Sequence, residues 1–340
     1  MIKKIKIILL VLLLAIAGYV ILHLSDVIYG IAQLKGQLHL VMNTRPVTEV
    51  IDDANVSAEI KTKLKLIQVI RKYASDSLGL KESKNYTTFY DQQNKPVLWV
   101  LTACSPFELK PYQWEFPFLG KVPYKGFFVE EKGKAEQQKL KLEMLDTELG
   151  ATGGWSTLGW FTDPVLSNML KRSDGKLAEL IIHELTHATV YIAGNTEYNE
   201  NLATFIGEKG AEKFLADHYG TESEELKSYI YYKEDEEIYG NYMLQSSNAL
   251  DSLYKTFQKE PLEDKLRKKY LFILKIVQDI KHLPLHNKSR YQFKFPGDHL
   301  PNNAWFMGYR RYRGNQSGLQ EAFEAQHSDL KLFVHSLLKK

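Results

Sequence analysis

The stretch Leu180-Ile181-Ile182-His183-Glu184-Leu185-Thr186-His187 places two histidines four residues apart, with a glutamate directly after the first. On an α-helix, residues i and i+4 share a face, so both imidazoles can reach one ion, while Glu184, about 100° around, reaches a water bound to it. Leu177, Leu180, Ile181, Leu185 and Ala188 recur at helical spacing around the motif. Ser173 or Asp174 can cap the start and Gly194-Asn195 supplies a left-handed stop, so the spacing predicts a helix over about 175–193.

Two histidines and a water leave a tetrahedral site one protein ligand short. A metzincin would place a histidine six residues beyond His187, but Ala193 stands there and the next histidine is His218. The chain instead continues Gly194-Asn195-Thr196-Glu197-Tyr198-Asn199-Glu200-Asn201-Leu202-Ala203-Thr204-Phe205, a turn that leads into a second helix. The first helix carries the chain about 10 Å past His187 at its rise of about 1.5 Å per residue. Six extended residues span up to about 20 Å, enough to return Glu200 to the level of the histidines. Glu200 is the best-placed third ligand, with Glu197 in the turn and Glu208 two helical turns further on as alternatives. Thr204, four residues after Glu200, could hydrogen-bond a ligand from behind. Such a set suits Zn²⁺ with one position open for water.

His-Glu-Leu-Thr-His followed by Asn-Glu on the next helix resembles the gluzincin peptidases, the thermolysin-like group whose third zinc ligand is a glutamate. Further segments narrow the resemblance: Gly36-Gln37-Leu38, Phe116-Pro117-Phe118-Leu119-Gly120, Tyr124-Lys125-Gly126-Phe127-Phe128, Ser156-Thr157-Leu158-Gly159-Trp160-Phe161-Thr162-Asp163-Pro164, and Asn302-Asn303-Ala304 with Tyr312. They occur in this order in a bacterial family called predicted aminopeptidases, and the match covers nearly the whole chain. The resemblance implies a thermolysin-like zincin core, a peptide substrate and a Zn²⁺ cofactor. It also implies an edge strand over Thr157, Leu158, Gly159 and Trp160 that pairs with the substrate backbone. For the hydrogen-bond donor that meets charge on the reacting carbonyl it points to Tyr309 or Tyr312, with Tyr312 preferred from motif spacing. Exopeptidases hold the free amine with acidic or carbonyl groups, for which Asp163 and Glu197 are candidates. Many relatives carry a lipobox cysteine, whereas this chain has only Cys104, so lipid attachment is not expected.

At 340 residues, 44% hydrophobic and 25% charged, the chain can bury one large core or two lobes. Its 44 basic and 41 acidic residues give a net charge of +3, which supplies no general basic face for nucleic acid. The lysines near Lys265 to Lys269 read as a solvated helix face. One cysteine forms no intrachain disulfide, and Cys104 reads as a packed thiol ending a buried strand.

Lys3, Lys4 and Lys6 precede an apolar run from Ile7 to Leu22, about the length that crosses a bilayer. Positive charge stays on the cytoplasmic side, which predicts a single-pass segment in the bacterial inner membrane and a catalytic part in the periplasm. Ala15-Ile16-Ala17 could be a cleavage site, but the run continues past it, which favours a retained anchor. The expected organisation is an anchor or signal segment over 1–24 and a peptidase domain over 25–340. Within that domain a sheet-bearing part covers about 84–165, the zinc helices about 175–218 and a helical lobe about 222–340. The fold class is α+β and helix-rich, with a small mixed sheet and a C-terminal helical lobe. Expected elements include strands over 86–90 and 97–102, one helix over 132–149, a strand over 153–161, and helices over 222–259 and 262–282. The expected activity is peptide hydrolysis, foremost by a membrane-anchored aminopeptidase with Glu184 as general base. An envelope endopeptidase and a metal-holding binding protein without catalysis are the alternatives.

Overall fold

The computed structural model describes residues 2–116, 120–152, 162–292, 300–311 and 317–338. The expected strand over Thr157 to Trp160 lies outside them, as does Tyr312. In chain order, α1 (Ile2–Leu22) and α2 (Leu24–Met42) lead to a short β1 (Arg45–Pro46), then α3 (Val47–Asp52) and α4 (Ala58–Asp76). Next come β2 (Thr88–Tyr90), β3 (Trp99–Cys104), β4 (Trp114–Phe116), β5 (Gly120–Val122) and β6 (Lys125–Phe127). After these, α5 (Glu130–Leu142), β7 (Asp146–Ala151) and β8 (Val165–Leu166) complete the strand-bearing part. The chain then turns helical: α6 (Asp174–Thr189), α7 (Thr196–Tyr219), α8 (Glu224–Lys255), α9 (Leu262–Asp279), α10 (Asn303–Arg311), α11 (Ser317–Glu324) and α12 (Leu330–Leu337).

The strands form three small sheets instead of one. In the first, β2 pairs antiparallel with β1 and parallel with β8. In the second, β3 is central, antiparallel to β6 on one side and to β7 on the other, with Thr102 opposite Glu148. The third is the β4–β5 hairpin. Sequence periodicity extends one helix through residue 149, but α5 ends at Leu142 and Met144 takes a left-handed φ of 62°. Asp146–Ala151 then form β7, where pairing with β3 along its whole length prevails over continuation of the helix.

Three apolar clusters hold these elements. The largest joins α4, α6 and α7, and Leu64, Ile67, Ile70 and Ala74 of α4 recur at helical spacing and are fully buried. Ser57 caps α4 by accepting from the Ile60 amide. A second cluster lies among α8, α9 and α10, and a third under β3, β6 and α5. At the other end, α2 docks on β6, where Tyr29 and Gln33 both donate to the Gly126 carbonyl at 2.9 Å. Ahead of it, α1 leaves Ile7, Ile8, Leu13 and Leu22 exposed. Among the described residues, no helix is long and apolar enough to cross a membrane.

The lysine run on α9 is not wholly solvated, because Lys269 turns inward and is only 8% exposed. Its ammonium bonds Asp146 at the start of β7 and the Pro106 carbonyl. Asp146 also accepts from the Asn303 amide at 2.8 Å, and the fully buried Asn303 carboxamide donates to the carbonyls of Ser105 and Pro106. Tyr254 closes this clasp by donating to Asn303 at 2.6 Å. The clasp ties the second sheet to the helical lobe, since its groups come from β7, the segment after β3, α8, α9 and the start of α10. Removing one partner leaves a buried charge uncompensated, so Asp146→Ala should lower the unfolding free energy by about 3 to 5 kcal/mol. Urea denaturation checks this, and a loss below about 1 kcal/mol would show that the pair does not hold the two parts together.

Candidate metal centre

The buried face of α6 is Leu177, Ala178, Ile181, Ile182, Leu185, Thr186 and Thr189, which recur along one side of the helix. The opposite shoulder carries His183 and His187, one helical turn apart and partly exposed. Asp174 in the first turn takes 2.6 Å bonds from Lys63 and from the Tyr219 hydroxyl, fixing the helix start against α4 and α7. At the other end α6 stops at Thr189, four residues short of the expected 193, with Val190 already extended. Thr186 and Thr189 turn their hydroxyls back to the carbonyls of Ile182 and Leu185, and Thr189 also accepts from the Lys81 amide. Asn199 fixes the following loop by accepting from the Ile192 amide and donating to its carbonyl, at 2.9 and 2.8 Å. Gly194, at φ 80°, makes the turn, and Asn195 caps α7 by accepting from the Tyr198 amide.

This return places Glu200, on the second turn of α7, opposite the two histidines. The Nε2 atoms of His183 and His187 are 3.2 Å apart, and the Glu200 carboxylate oxygens lie 3.6 Å from the first and 3.5 Å from the second. The two rings meet nearly edge to face, at an interplanar angle of 84°. At bond lengths of about 2.0 to 2.1 Å, ligand atoms on a tetrahedral cation stand about 3.3 to 3.4 Å apart. Two imidazoles and a carboxylate at these separations could therefore hold a metal ion. The paired imidazoles keep the Glu200 carboxyl well below the usual carboxylate range. Burial lowers the His187 imidazole, and Glu200 together with Glu184 more than reverses it, so it ends raised.

Gly207 and Gly210 determine how closely α7 lies on α6. A Cβ on Gly207 would stand 3.0 Å from the Glu179 carbonyl and 3.1 Å from the His183 Cβ, and one on Gly210 would stand 2.9 Å from the Ile182 side chain. Glu184, between the two histidines in sequence, is partly buried. Burial pushes its carboxyl up, the two imidazoles pull it down, and Asp163 and Glu200 push it up again, leaving it raised. Asp163, at 3% exposure, therefore lies within electrostatic range of Glu184 although its segment precedes α6 in the chain. Tyr86, fully buried and at a left-handed φ of 62°, lies in the same field, where burial first and then Glu184 and Asp163 hold its hydroxyl protonated.

Of the alternative ligands, Glu208 is committed to Lys233 at 2.7 Å, and Glu197 belongs to the first turn of α7, outside the converging set. Thr204, one turn after Glu200, lines a large cavity, as does Tyr309. Asn199, Gly207, Gly210 and Tyr86 were not singled out by pattern. Gly207 and Gly210 did carry a signal, two glycines three residues apart within a helical segment, where each costs about 1 kcal/mol relative to alanine without a packing reason.

The cavity, of about 1580 Å³, begins one turn along α7 from Glu200 and is bounded by β3, β7, α7, α8, the segment around Arg290 and α10. Its wall carries Lys233 bonded to Glu208 and Glu236, and behind that wall Lys176 bonds Glu179. Tyr229 donates to Glu179 at 2.9 Å. Burial pushes the Glu236 carboxyl up to about 7, offset in part by Lys176.

A family model described as "Putative aminopeptidase" matches residues 28–339. No curated protein and no solved structure matches the chain.

The close approach of α7 to α6 is testable. Gly207→Val should destabilise the fold by about 1 to 3 kcal/mol, because added side-chain atoms meet backbone and not the end of a flexible chain. It should also weaken divalent-metal binding, read by calorimetry, because it pushes Glu200 away from His183. Gly30→Ala, in the middle of α2 where a Cβ meets nothing within 4 Å, should leave metal binding unchanged and stability unchanged or raised by up to about 1 kcal/mol. Equal effects of the two substitutions would contradict the packing argument.

Proposed function

Because the chain belongs to the family described as "Putative aminopeptidase", and because two imidazoles and a carboxylate converge within it, we propose that it is a zinc-dependent peptide hydrolase of the aminopeptidase type. The observation that carries the reading is the convergence of the three side chains: the two Nε2 atoms stand 3.2 Å apart, near the edge of a tetrahedron around zinc, each with its own Glu200 oxygen at 3.5 or 3.6 Å, and one ligand atom from each residue lies within 4.8 Å of the others. The HExxH pattern and the Asn-Glu sequence on the following helix favour a gluzincin arrangement within a thermolysin-like core.

When bound, zinc would supply a Lewis acid and lower the pKa of a coordinated water toward neutrality. The chain contributes the rest. His183 and His187 bind as neutral imidazoles through Nε2, and Glu200 adds the anionic oxygen. Glu184, next to His183 in the chain and rotated about 100° from it, accepts the proton of the attacking water and passes it to the leaving amine. Tyr312 would donate to the oxygen on which negative charge develops, and Thr157 to Trp160 would pair with the substrate backbone; both assignments rest on the family resemblance. Asp163 is the better candidate for holding the substrate amine, because its charge acts on Glu184 while Glu197 stands outside the converging set. The three lysines ahead of the apolar run support attachment to the inner membrane through the N-terminal segment, with the peptidase part on the periplasmic side.

Glu184→Gln separates binding from chemistry. The amide has the shape of the carboxylate, so the full chain should retain zinc at wild-type stoichiometry, yet it cannot accept a proton. Turnover of a peptide that the wild type cleaves should fall by about 10² to 10⁴ at equal zinc occupancy. Undiminished hydrolysis by the zinc-loaded variant would remove Glu184 as the base.

A further inference from the structure

The peptidase reading makes no use of the large cavity beside α7, which is rich in aromatic rings and carboxylates. Its volume of about 1580 Å³ exceeds the roughly 300 to 1,000 Å³ of a pocket for one small ligand, so it has room for several residues of a peptide. Thr204 and Glu208 on its wall follow Glu200 by one and two turns of the same helix, so the cavity lies beside the ligand trio along α7. Seven aromatic rings face it, among them Tyr124, Tyr229, Tyr239, Trp305 and Tyr309. Rigid rings with a polar edge suit a peptide that is apolar along its side chains and polar along its backbone.

The charges of the wall decide which peptides fit. Six glutamates line the cavity against two cations, Lys233 and Arg290. Both cations are already engaged: Lys233 bonds Glu208 and Glu236, and the Arg290 guanidinium lies 4.0 Å over the Tyr232 ring. Lys176 approaches the same ring at 4.4 Å from its centroid. The wall thus surrounds its own cations with carboxylates and tyrosine faces, and Glu148 on β7 and Glu212 on α7 extend the same chemistry along the cavity. Glu234 bonds His286 and Glu212 pairs with Lys209 at 3.8 Å, yet with six carboxylates to two cations the wall keeps an acidic excess, and a concave surface with such an excess concentrates ligands of the opposite sign.

We propose that this cavity is the peptide-binding channel of the metal centre and that it selects peptides carrying a lysine or arginine side chain. The inference rests on the peptidase reading for its use, and on the cavity alone for its binding. A free amino terminus by itself needs only a small anionic pocket, whereas a channel of this size and lining reads side chains.

The test uses the full chain, zinc-loaded and carrying Glu184→Gln, so that peptides bind without being cleaved. Fluorescent hexapeptides with one variable central residue, lysine, arginine, glutamine or glutamate, are each prepared with a free and with an acetylated amino terminus. Lysine and arginine peptides should bind about tenfold more tightly than the glutamine peptide, and the glutamate peptide more weakly still, whichever terminus is present. The combined substitution Glu148→Gln and Glu212→Gln should reduce this preference severalfold, and added salt should reduce it in the unsubstituted cavity. Equal binding of all four peptides, no binding of any, a preference that follows the free terminus instead of the side chain, or a preference untouched by the two substitutions would each overturn the proposal. Hydrolysis of the same peptides by the wild type separates the two readings. Basic-peptide binding without cleavage would refute the peptidase reading alone, and cleavage without side-chain preference would refute this inference alone.

Discussion

The close approach of α6 and α7 is the constraint on which the rest of the structure depends. The separation of two packed helices is set by the side chains between them, and at Gly207 there is none, so α7 comes into contact with the backbone of α6 around Glu179 and His183. Glu200 lies two turns earlier on α7, and the same contact brings its carboxylate within 3.6 Å of both imidazoles. Gly175 near the start of α6 gives the same freedom to α8, since a Cβ there would stand 2.6 Å from the Tyr229 ring. The three helices that frame the site and the cavity are thus set at their distances by what is missing between them.

Around that contact the polar groups are spent on fixing position. The Asn199 carboxamide sits beside Glu200 in the chain and holds the 190–195 loop by both of its faces, so the ligand helix starts from a defined point. The buried clasp of Asp146, Lys269 and Asn303 does the same for the far wall, because α10 begins in it and then carries Trp305 and Tyr309 to the cavity. Satisfied buried polar networks of this kind specify one arrangement over near alternatives, while the apolar clusters supply most of the favourable burial.

How far the sequence could be read follows from the range of each interaction. His183, Glu184 and His187 are legible because helical geometry fixes i, i+1 and i+4 locally. Glu200 is legible at one remove, since chain length limits where the next carboxylate can return. The helix α6 ends before 193 although Val190 to Ala193 fit a helix locally, because Val190 is extended and Asn199 of the next element holds Ile192 by both its amide and its carbonyl. For 143–149 the local pattern also lost, to pairing with β3 some forty residues earlier in the chain. Lys269 was unreadable for the same reason, its partner Asp146 being 123 residues away. Nothing local marks Tyr86 or Asp163 as neighbours of Glu184, and the joining of the wall glutamates into one cavity depends on how β7, α7 and α8 pack. Thr157 to Trp160 and Tyr312, drawn from family resemblance, lie outside the described residues.

The central claim is that one metal ion is held by His183, His187 and Glu200, and anomalous diffraction tests it most directly. Crystals of the purified chain, with data collected on both sides of the zinc absorption edge, should give one strong anomalous peak per chain. That peak should lie about 2.0 to 2.2 Å from Nε2 of His183, from Nε2 of His187 and from a carboxylate oxygen of Glu200. A peak located elsewhere, or one coordinated by the two histidines with Glu200 turned away and another carboxylate in its place, would contradict the account.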